Sequence, residues 1–201
     1  MTGFLALVTS RRGHFRLESG HHGRLWMDLD GLFADPARVR PLVERLADAI
    51  RPHDVAVVCG PLTGGAFLAQ MVAAILPVEF AFTERVAPAG GEGLYRMRYV
   101  LPRALRDRVR GRRVAIVDDV MSAGSAVGGT HAELQSHGAV TAVVGALLSL
   151  GAQAADFFAP QGVPVTSVEA MPYDLWRPGE CPLCATGQPL EDVLSRCGAS
   201  G

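Results

Sequence analysis

Between positions 35 and 51 apolar residues recur at helical spacing. Val39, Leu42, Val43, Leu46, Ala49 and Ile50 share one face. Asp35 offers an N-cap, Pro36 a first helical residue, and Pro52 a stop. The pattern then changes to short unbroken apolar runs. Val55 to Cys59 reads as a strand ending in Gly60-Pro61, and Gly64-Gly65 opens an apolar helix that runs through Leu76 to Pro77. Val78 to Phe82 and Val114 to Val117 are further strands, another lies within Val140 to Leu150, and Val163 to Val168 is the last. A helix is expected from about Ser125 to His137, with Gly138 at its C-terminal end. The run at Val114 to Val117 lacks polar alternation, which predicts burial on both faces, as in parallel sheets.

Strands that alternate with helices predict an α/β fold: a mostly parallel sheet flanked by helices. Ligands of such sheets bind at the carboxyl ends of the strands. The loops there are 60–65, 83–112 and 118–126. Residues 83–112 are rich in Gly, Pro and Arg with little core pattern, so a long mobile loop is expected, with a hairpin around Tyr95 to Leu101. Residues 1–33 and the tail after Pro172 break the alternation and are expected to cap the site. The organisation is therefore one domain: a core at 34–170, an N-terminal hood at 1–33 and a tail at 171–201.

Composition narrows the function. The chain has 201 residues, 49% of them hydrophobic, enough for a full core. A net charge of −1 argues against a nucleic-acid footprint. All 19 basic residues are Arg. Lysine chemistry is thereby excluded, and an anion must be held by Arg forks, hydroxyls and backbone N–H groups. Four cysteines (Cys59, Cys181, Cys184 and Cys197) are too few for a disulfide scaffold, and a reducing cytoplasm is the simplest expectation. No secretory signal is evident at Met1 to Arg12, and no segment is apolar over a membrane-spanning length.

The strongest chemical signal is Val114-Ala-Ile-Val-Asp118-Asp119-Val-Met-Ser122-Ala123-Gly124-Ser125-Ala126. A buried strand runs into two adjacent acids, then a small, hydroxyl-rich turn, then a helix. Consecutive N–H groups at a helix N-terminus make an anion nest, and Ser122 and Ser125 add hydroxyl donors. The two acids are acceptors suited to neighbouring sugar hydroxyls. A phosphate cradle beside a diol reader describes ribose 5-phosphate.

This segment resembles the phosphoribosyl-pyrophosphate signature of type I phosphoribosyltransferases. The resemblance implies that Asp118 and Asp119 bind the ribose hydroxyls, with Asp119 nearest the reacting carbon, and that residues 122–126 wrap the 5-phosphate. Val57-Val-Cys-Gly60-Pro61-Leu62-Thr63-Gly64-Gly65-Ala resembles the family's pyrophosphate loop, so Pro61, Leu62, Thr63 and Gly64 are expected at pyrophosphate. Residues 83–112 sit where the family carries its catalytic loop, which assigns Arg85, Arg96 and Arg98 to the leaving group. Gly13-His-Phe-Arg-Leu-Glu18-Ser19-Gly20-His21-His22-Gly-Arg-Leu-Trp26 resembles the hood of the orotate enzymes, which puts Trp26 and His22 at the base. The implied reaction transfers 5-phosphoribosyl from phosphoribosyl pyrophosphate to a nitrogenous base, with an orotate-like pyrimidine favoured. Magnesium and a homodimer are implied with it.

The chain also departs from the orotate pattern. Glu18 stands where those enzymes usually have Lys, Gly151 and Ala152 replace their usual Asp-Arg pair, and the loop lacks both Lys and His. Two other readings therefore stay open: a purine-type transferase, or a regulator that binds phosphoribosyl pyrophosphate without turnover.

Cys181-Pro-Leu-Cys184 has the shape of a zinc knuckle, and it resembles the tail of a less common orotate-type branch. Tetrahedral zinc needs four ligands. Cys197 offers a third, and a histidine or a second subunit would supply the rest. A reduced structural turn is the alternative. His14, His53, His131 and His137 show no usable pattern.

Overall fold

Each central strand consists of residues that bury alternately on opposite faces. Val58, Ala115, Val117, Val143 and Leu147 join one hydrophobic cluster, while Val57, Cys59, Val114, Ile116 and Val144 join another. A sheet with two apolar faces must be covered twice, and helices do so here.

The structure is a computed structural model that describes residues 3–17, 19–86 and 97–192. A hairpin comes first, β1 (Thr9–Arg16) and β2 (His22–Asp28). Then follow α1 (Pro36–Ile50), β3 (Val57–Pro61), α2 (Gly64–Ile75), β4 (Glu79–Val86), β5 (Arg98–Val100) and the short α3 (Arg106–Val109). The second half comprises β6 (Arg113–Met121), α4 (Ser125–Ser136), β7 (Val140–Leu150), α5 (Gln153–Phe158) and β8 (Val165–Met171). The tail adds β9 (Leu175–Trp176), α6 (Pro182–Ala185) and β10 (Glu191–Asp192).

The main sheet has the order β5-β4-β3-β6-β7-β8. All its pairings are parallel except β4 with β5. The α/β expectation therefore holds. Helices α1 and α2 cover one face, and α4 and α5 the other. Asp35 caps α1 as expected, its carboxylate accepting from the Ala37 N–H at 3.1 Å. Gly145 lets α1 sit close to β7, since a Cβ there would lie 3.0 Å from Leu46.

Three expectations change. Strand β6 runs on to Met121, so Asp118 and Asp119 lie in the strand rather than after it. Strand β4 extends to Val86 because β5 pairs with it, Glu84 opposite Val100 and Val86 opposite Arg98. The hairpin thus connects 86 to 98 rather than centring on Tyr95 to Leu101. Residues 103–109 are helical, with Val109 buried, so the described part of 83–112 is mostly regular structure.

The N-terminal and C-terminal segments build a second sheet of order β10-β1-β2-β9. The tail brackets the hairpin on both sides: β10 pairs parallel with β1, and β9 pairs antiparallel with β2. Phe4 is fully buried, and its N–H donates to Glu169 on β8 at 3.0 Å. Met27, Leu29 and Tyr173 pack against the core cluster, which seats this hood on the main sheet. No helix among the described residues is long and apolar enough to cross a membrane.

His131 on α4 is a buried core group. Gln161 donates to the Phe157 carbonyl at 2.8 Å, which turns its own carbonyl toward His131 Nε2, also at 2.8 Å. Nδ1 then accepts from the Thr141 hydroxyl at 2.8 Å. Both ring nitrogens are satisfied in the neutral form. Burial pushes the His131 pKa down, and the Gln161 contact opposes this. The unfolded ring binds a proton below about pH 6.5 while the folded ring resists it, so stability is lost as pH falls through that value. Thermal melts from pH 8 to pH 5 should show a falling Tm, and His131→Gln should make the fall shallower.

Candidate active site

Strands β3 and β6 are neighbours, but the chain leaves them in opposite directions. From β3 it moves to β4 and β5, and from β6 to β7 and β8. The loops at their carboxyl ends therefore part and leave a crevice at the switch point. The crevice is a cleft of about 730 Å³. Its floor is Pro61 to Gly64 and Asp118 to Ser122, one end is Gly124 to Val127, and the hood strand Leu25 to Asp30 overhangs it.

The acid pair lies at the centre of the floor. Asp118 and Asp119 are 9% and 8% exposed. The Asp119 N–H donates to Asp118 Oδ1 at 3.1 Å, and the Val120 N–H donates to Asp119 Oδ1 at 2.8 Å. Each carboxylate is thus oriented by the next peptide. Opposite them lies the turn from β3 into α2. A Cβ on Gly64 would run into Asp119, and one on Gly65 would lie 2.8 Å from Asp118 Oδ1. Neither glycine has a positive φ. Their role here is clearance for the two carboxylates, not left-handed backbone. Gly60 serves the same junction, because its Cβ would strike the Gly65 carbonyl. The Leu62–Thr63 peptide in this turn is cis.

Gly124 differs. Its φ of +73° is left-handed, and it occupies the N-cap of α4. No side chain caps that helix. The N–H groups of its first turn, at Ser125, Ala126 and Val127, are not used by helical bonding and open at the cleft. This is the geometry of an anion site. Ser122, Gly124, Ser125 and Ala126 line the cleft, whereas Ala123 is buried beside it.

Of the three arginines expected at the leaving group, Arg85 lines the cleft from β4. Arg98 is exposed on β5 and is not part of the lining. Arg96 lies outside the described residues. Sequence reasoning missed Glu84, Tyr99 and Tyr173, all of which line the cleft. Glu84 and Tyr99 arrive through the β4–β5 pairing. Tyr173 follows β8, and its hydroxyl donates to the Leu25 carbonyl at 3.1 Å. Burial pushes the Tyr173 pKa up to about 12, so the phenol keeps its proton and holds the hood strand to the core.

The hood places its two expected base contacts differently. Trp26 borders the cleft, and Arg11 of β1 lies 5.0 Å from its ring centre. Along β2, Trp26 alternates with Leu25 and Met27, which point to the opposite face. His22 does not line the cleft. It is 4% exposed, and its Nδ1 is 3.2 Å from His14 Nε2 and 3.3 Å from the Cys184 sulfur. His22 is paired with Trp176 of β9, and its ring lies against the tail at Cys184. The other cysteine of the knuckle, Cys181, is buried against His14 at 3.4 Å. Cys197 lies outside the described residues. Burial holds His21 and His22 below the ordinary histidine pKa, helped by Arg177 for His21 and by His14 and Arg16 for His22.

An acid pair, an uncapped helix N-terminus and a glycine-cleared turn meet at the switch point of a parallel α/β sheet. The family described as "Phosphoribosyl transferase domain" matches residues 32–156. Orotate phosphoribosyltransferase of Thermotoga maritima is 33% identical over 184 residues, 92% of this chain and 91% of that protein. The same-named protein of Carboxydothermus hydrogenoformans is 31% identical over 195 residues, 96% of this chain and 95% of its own length. Among solved structures, orotate phosphoribosyltransferase from Aeropyrum pernix superposes with a TM-score of 0.62 at 24% identity, covering 82% of this chain and 88% of that one. Adenine phosphoribosyltransferase from Thermoanaerobacter pseudethanolicus gives 0.63 at 18% identity, covering 82% and 96%. This chain belongs to the phosphoribosyl transferase family.

The clearance at Gly64 is testable. Gly64→Ala puts a methyl group where an Asp119 oxygen sits, so the turn or the acid must shift by on the order of 1 Å. Displacements of that size at a reacting centre cost about 10²-fold in rate. Steady-state kinetics should show kcat/KM reduced by about that factor, while the far-UV spectrum stays unchanged.

Proposed function

We propose that the protein is an orotate phosphoribosyltransferase that transfers the 5-phosphoribosyl group from phosphoribosyl pyrophosphate to orotate. The observation that carries this is the Asp118-Asp119 pair at the end of β6, facing the Gly64-Gly65 turn and continuing into the anion nest of α4. The choice of orotate rests on relatives of that name that share nine-tenths of the chain.

In this reading the 5-phosphate sits on the N–H groups of residues 124–127 with the Ser122 and Ser125 hydroxyls. Asp118 and Asp119 accept from the two ribose hydroxyls, and Asp119 is nearest the reacting carbon. Pyrophosphate lies along Pro61 to Gly64, with Arg85 of β4 beside it. The base enters under the hood, between β2 and the acid pair. The C1–N bond forms as the C1–O bond breaks, the electron pair leaves with pyrophosphate, and the base nitrogen loses its proton. The sugar passes through an oxocarbenium-like state, which the buried carboxylates favour electrostatically.

The cleft fits a magnesium-bound substrate. Its charged acceptors are carboxylates (Asp28, Asp30, Glu84, Asp118 and Asp119), and neither His nor Cys lines it. Such hard oxygen donors suit Mg²⁺. The carboxylates of the cleft would hold the ion together with the substrate, and it would offset the charge of the leaving group.

The same proposal includes a homodimer and a cytoplasmic location. Leu62 and Phe67 leave apolar surface beside the pyrophosphate turn, at 39% and 48% exposure. The described cysteines Cys59, Cys181 and Cys184 are free thiols, which suits a reducing compartment.

Pyrophosphate release should be followed with phosphoribosyl pyrophosphate, Mg²⁺ and a panel that includes orotate, uracil, adenine and hypoxanthine. Release should depend on orotate. The double variant Asp118→Asn/Asp119→Asn should lower kcat/KM by on the order of 10²–10³-fold. Turnover with a purine alone would replace orotate in the proposal. Calorimetric binding of the sugar without turnover for any base would make the protein a regulator.

A further inference from the structure

Away from the cleft, four side chains from three places in the chain converge. His14 comes from β1, His22 from β2, and Cys181 and Cys184 from the first turn of α6. One ligand atom from each lies within 4.8 Å of every other. His14 Nε2 is 3.2 Å from His22 Nδ1. Nitrogen–sulfur separations are 3.4 Å from His14 to Cys181, 3.7 Å from His14 to Cys184, and 3.3 Å from His22 to Cys184. A tetrahedral zinc ion with ordinary Zn–N and Zn–S bonds sets its ligands about 3.3 Å apart for nitrogen pairs and about 3.6 Å apart for nitrogen–sulfur pairs. Four of the six ligand pairs already lie close to these separations.

The surrounding contacts point the same way. His14 Nδ1 lies 2.9 Å from the Gln188 carbonyl and must donate to it. That fixes the tautomer with the Nε2 lone pair toward the cluster, the arrangement typical of a metal-bound imidazole. His14, His22 and Cys181 are 2%, 4% and 3% exposed. The Cys181 carbonyl accepts from the Ala185 N–H at 3.2 Å, and the Cys184 carbonyl from the Gly187 N–H at 3.0 Å, so both cysteines sit on one tight turn. Charge also balances. Two thiols give up their protons to solvent as two S–Zn bonds form, and two thiolates with two neutral imidazoles cancel the +2 ion. No oxidant or reductant is involved.

We propose that His14, His22, Cys181 and Cys184 bind one structural zinc ion that clips the C-terminal tail onto the hood. Soft thiolates with imidazoles in a closed tetrahedral set select zinc over the hard cations suited to the cleft. All four positions are filled by protein, so the site holds structure and leaves no place for a reacting water. The ion crosslinks residues up to 170 positions apart (His14 to Cys184). It thereby fixes the hairpin whose other face overhangs the cleft, together with the tail strands that bracket it.

The test uses untagged full-length protein purified without chelator. Elemental analysis should find about one zinc per chain, and exchange with cobalt should give the visible bands of a tetrahedral thiolate-ligated ion. Cys181→Ser/Cys184→Ser should abolish both signals, whereas Cys197→Ser should retain them. Should the double variant not fold, His14→Asn and the wild-type stoichiometry decide the matter. Wild-type protein free of zinc and unable to take up cobalt would overturn the proposal. So would a Cys181–Cys184 disulfide in peptide mapping, or bands lost on Cys197→Ser. These readouts are independent of whether the cleft transfers a phosphoribosyl group.

Discussion

The close approach of the β3–α2 turn to the carboxylates of Asp118 and Asp119 is the constraint on which the site depends. Two carboxyl groups with limited exposure are held in a buried strand, and the space they need is taken from the neighbouring turn. A Cβ at position 64 would run into Asp119, and one at position 65 would crowd Pro61 and Asp118. The same closeness sets the Pro61–Gly64 turn and the acid pair together on the cleft floor. The parallel pairing of β3 with β6 enforces it, because it runs to Cys59 opposite Ile116, just before the turn and the acids, and the chains then diverge. Helix α4 begins at the same cleft, shortly after that strand ends.

The hood solves a different problem. A hairpin of eight and seven residues has little core of its own, and an isolated hairpin is marginal in water. Here it gains a strand on each side from the tail, a Tyr173 hydroxyl bond to Leu25, and the seating of Met27 and Leu29 on the main core. The His–Cys cluster lies where tail and hairpin meet. Overhang and closure of the cleft thus depend on residues from both ends of the chain.

Local signals were readable in the sequence wherever structure is local. Helix α1 begins and ends where Asp35, Pro36 and Pro52 place it, because caps and proline act within one turn. Strand β7 fills the whole of Val140 to Leu150, and the strand, turn and helix around Asp118 follow in the order read, with the acids inside the strand. Reading failed where a partner strand decided the outcome. Nothing in Glu84 to Val86 marks a strand until β5 supplies its hydrogen bonds. Val120 and Met121 extend β6 because β7 runs beside them, Val120 opposite Leu148 and Met121 opposite Ser149.

The sequence by itself determined the alternation of helix and strand, the buried character of the central strands, the absence of lysine chemistry, and the chemistry of residues 114–126. These follow from composition and from neighbours within a few positions. Tertiary structure alone decided that Gly64 and Gly65 make room for carboxylates, that Tyr173 reaches the hood, and that His22 turns from the base toward the tail. It also decided that His14 joins two cysteines more than 160 positions away. Such contacts depend on how sheets stack and on which strands pair at their edges. Periodicity and spacing carry no record of a neighbour brought close only by the fold.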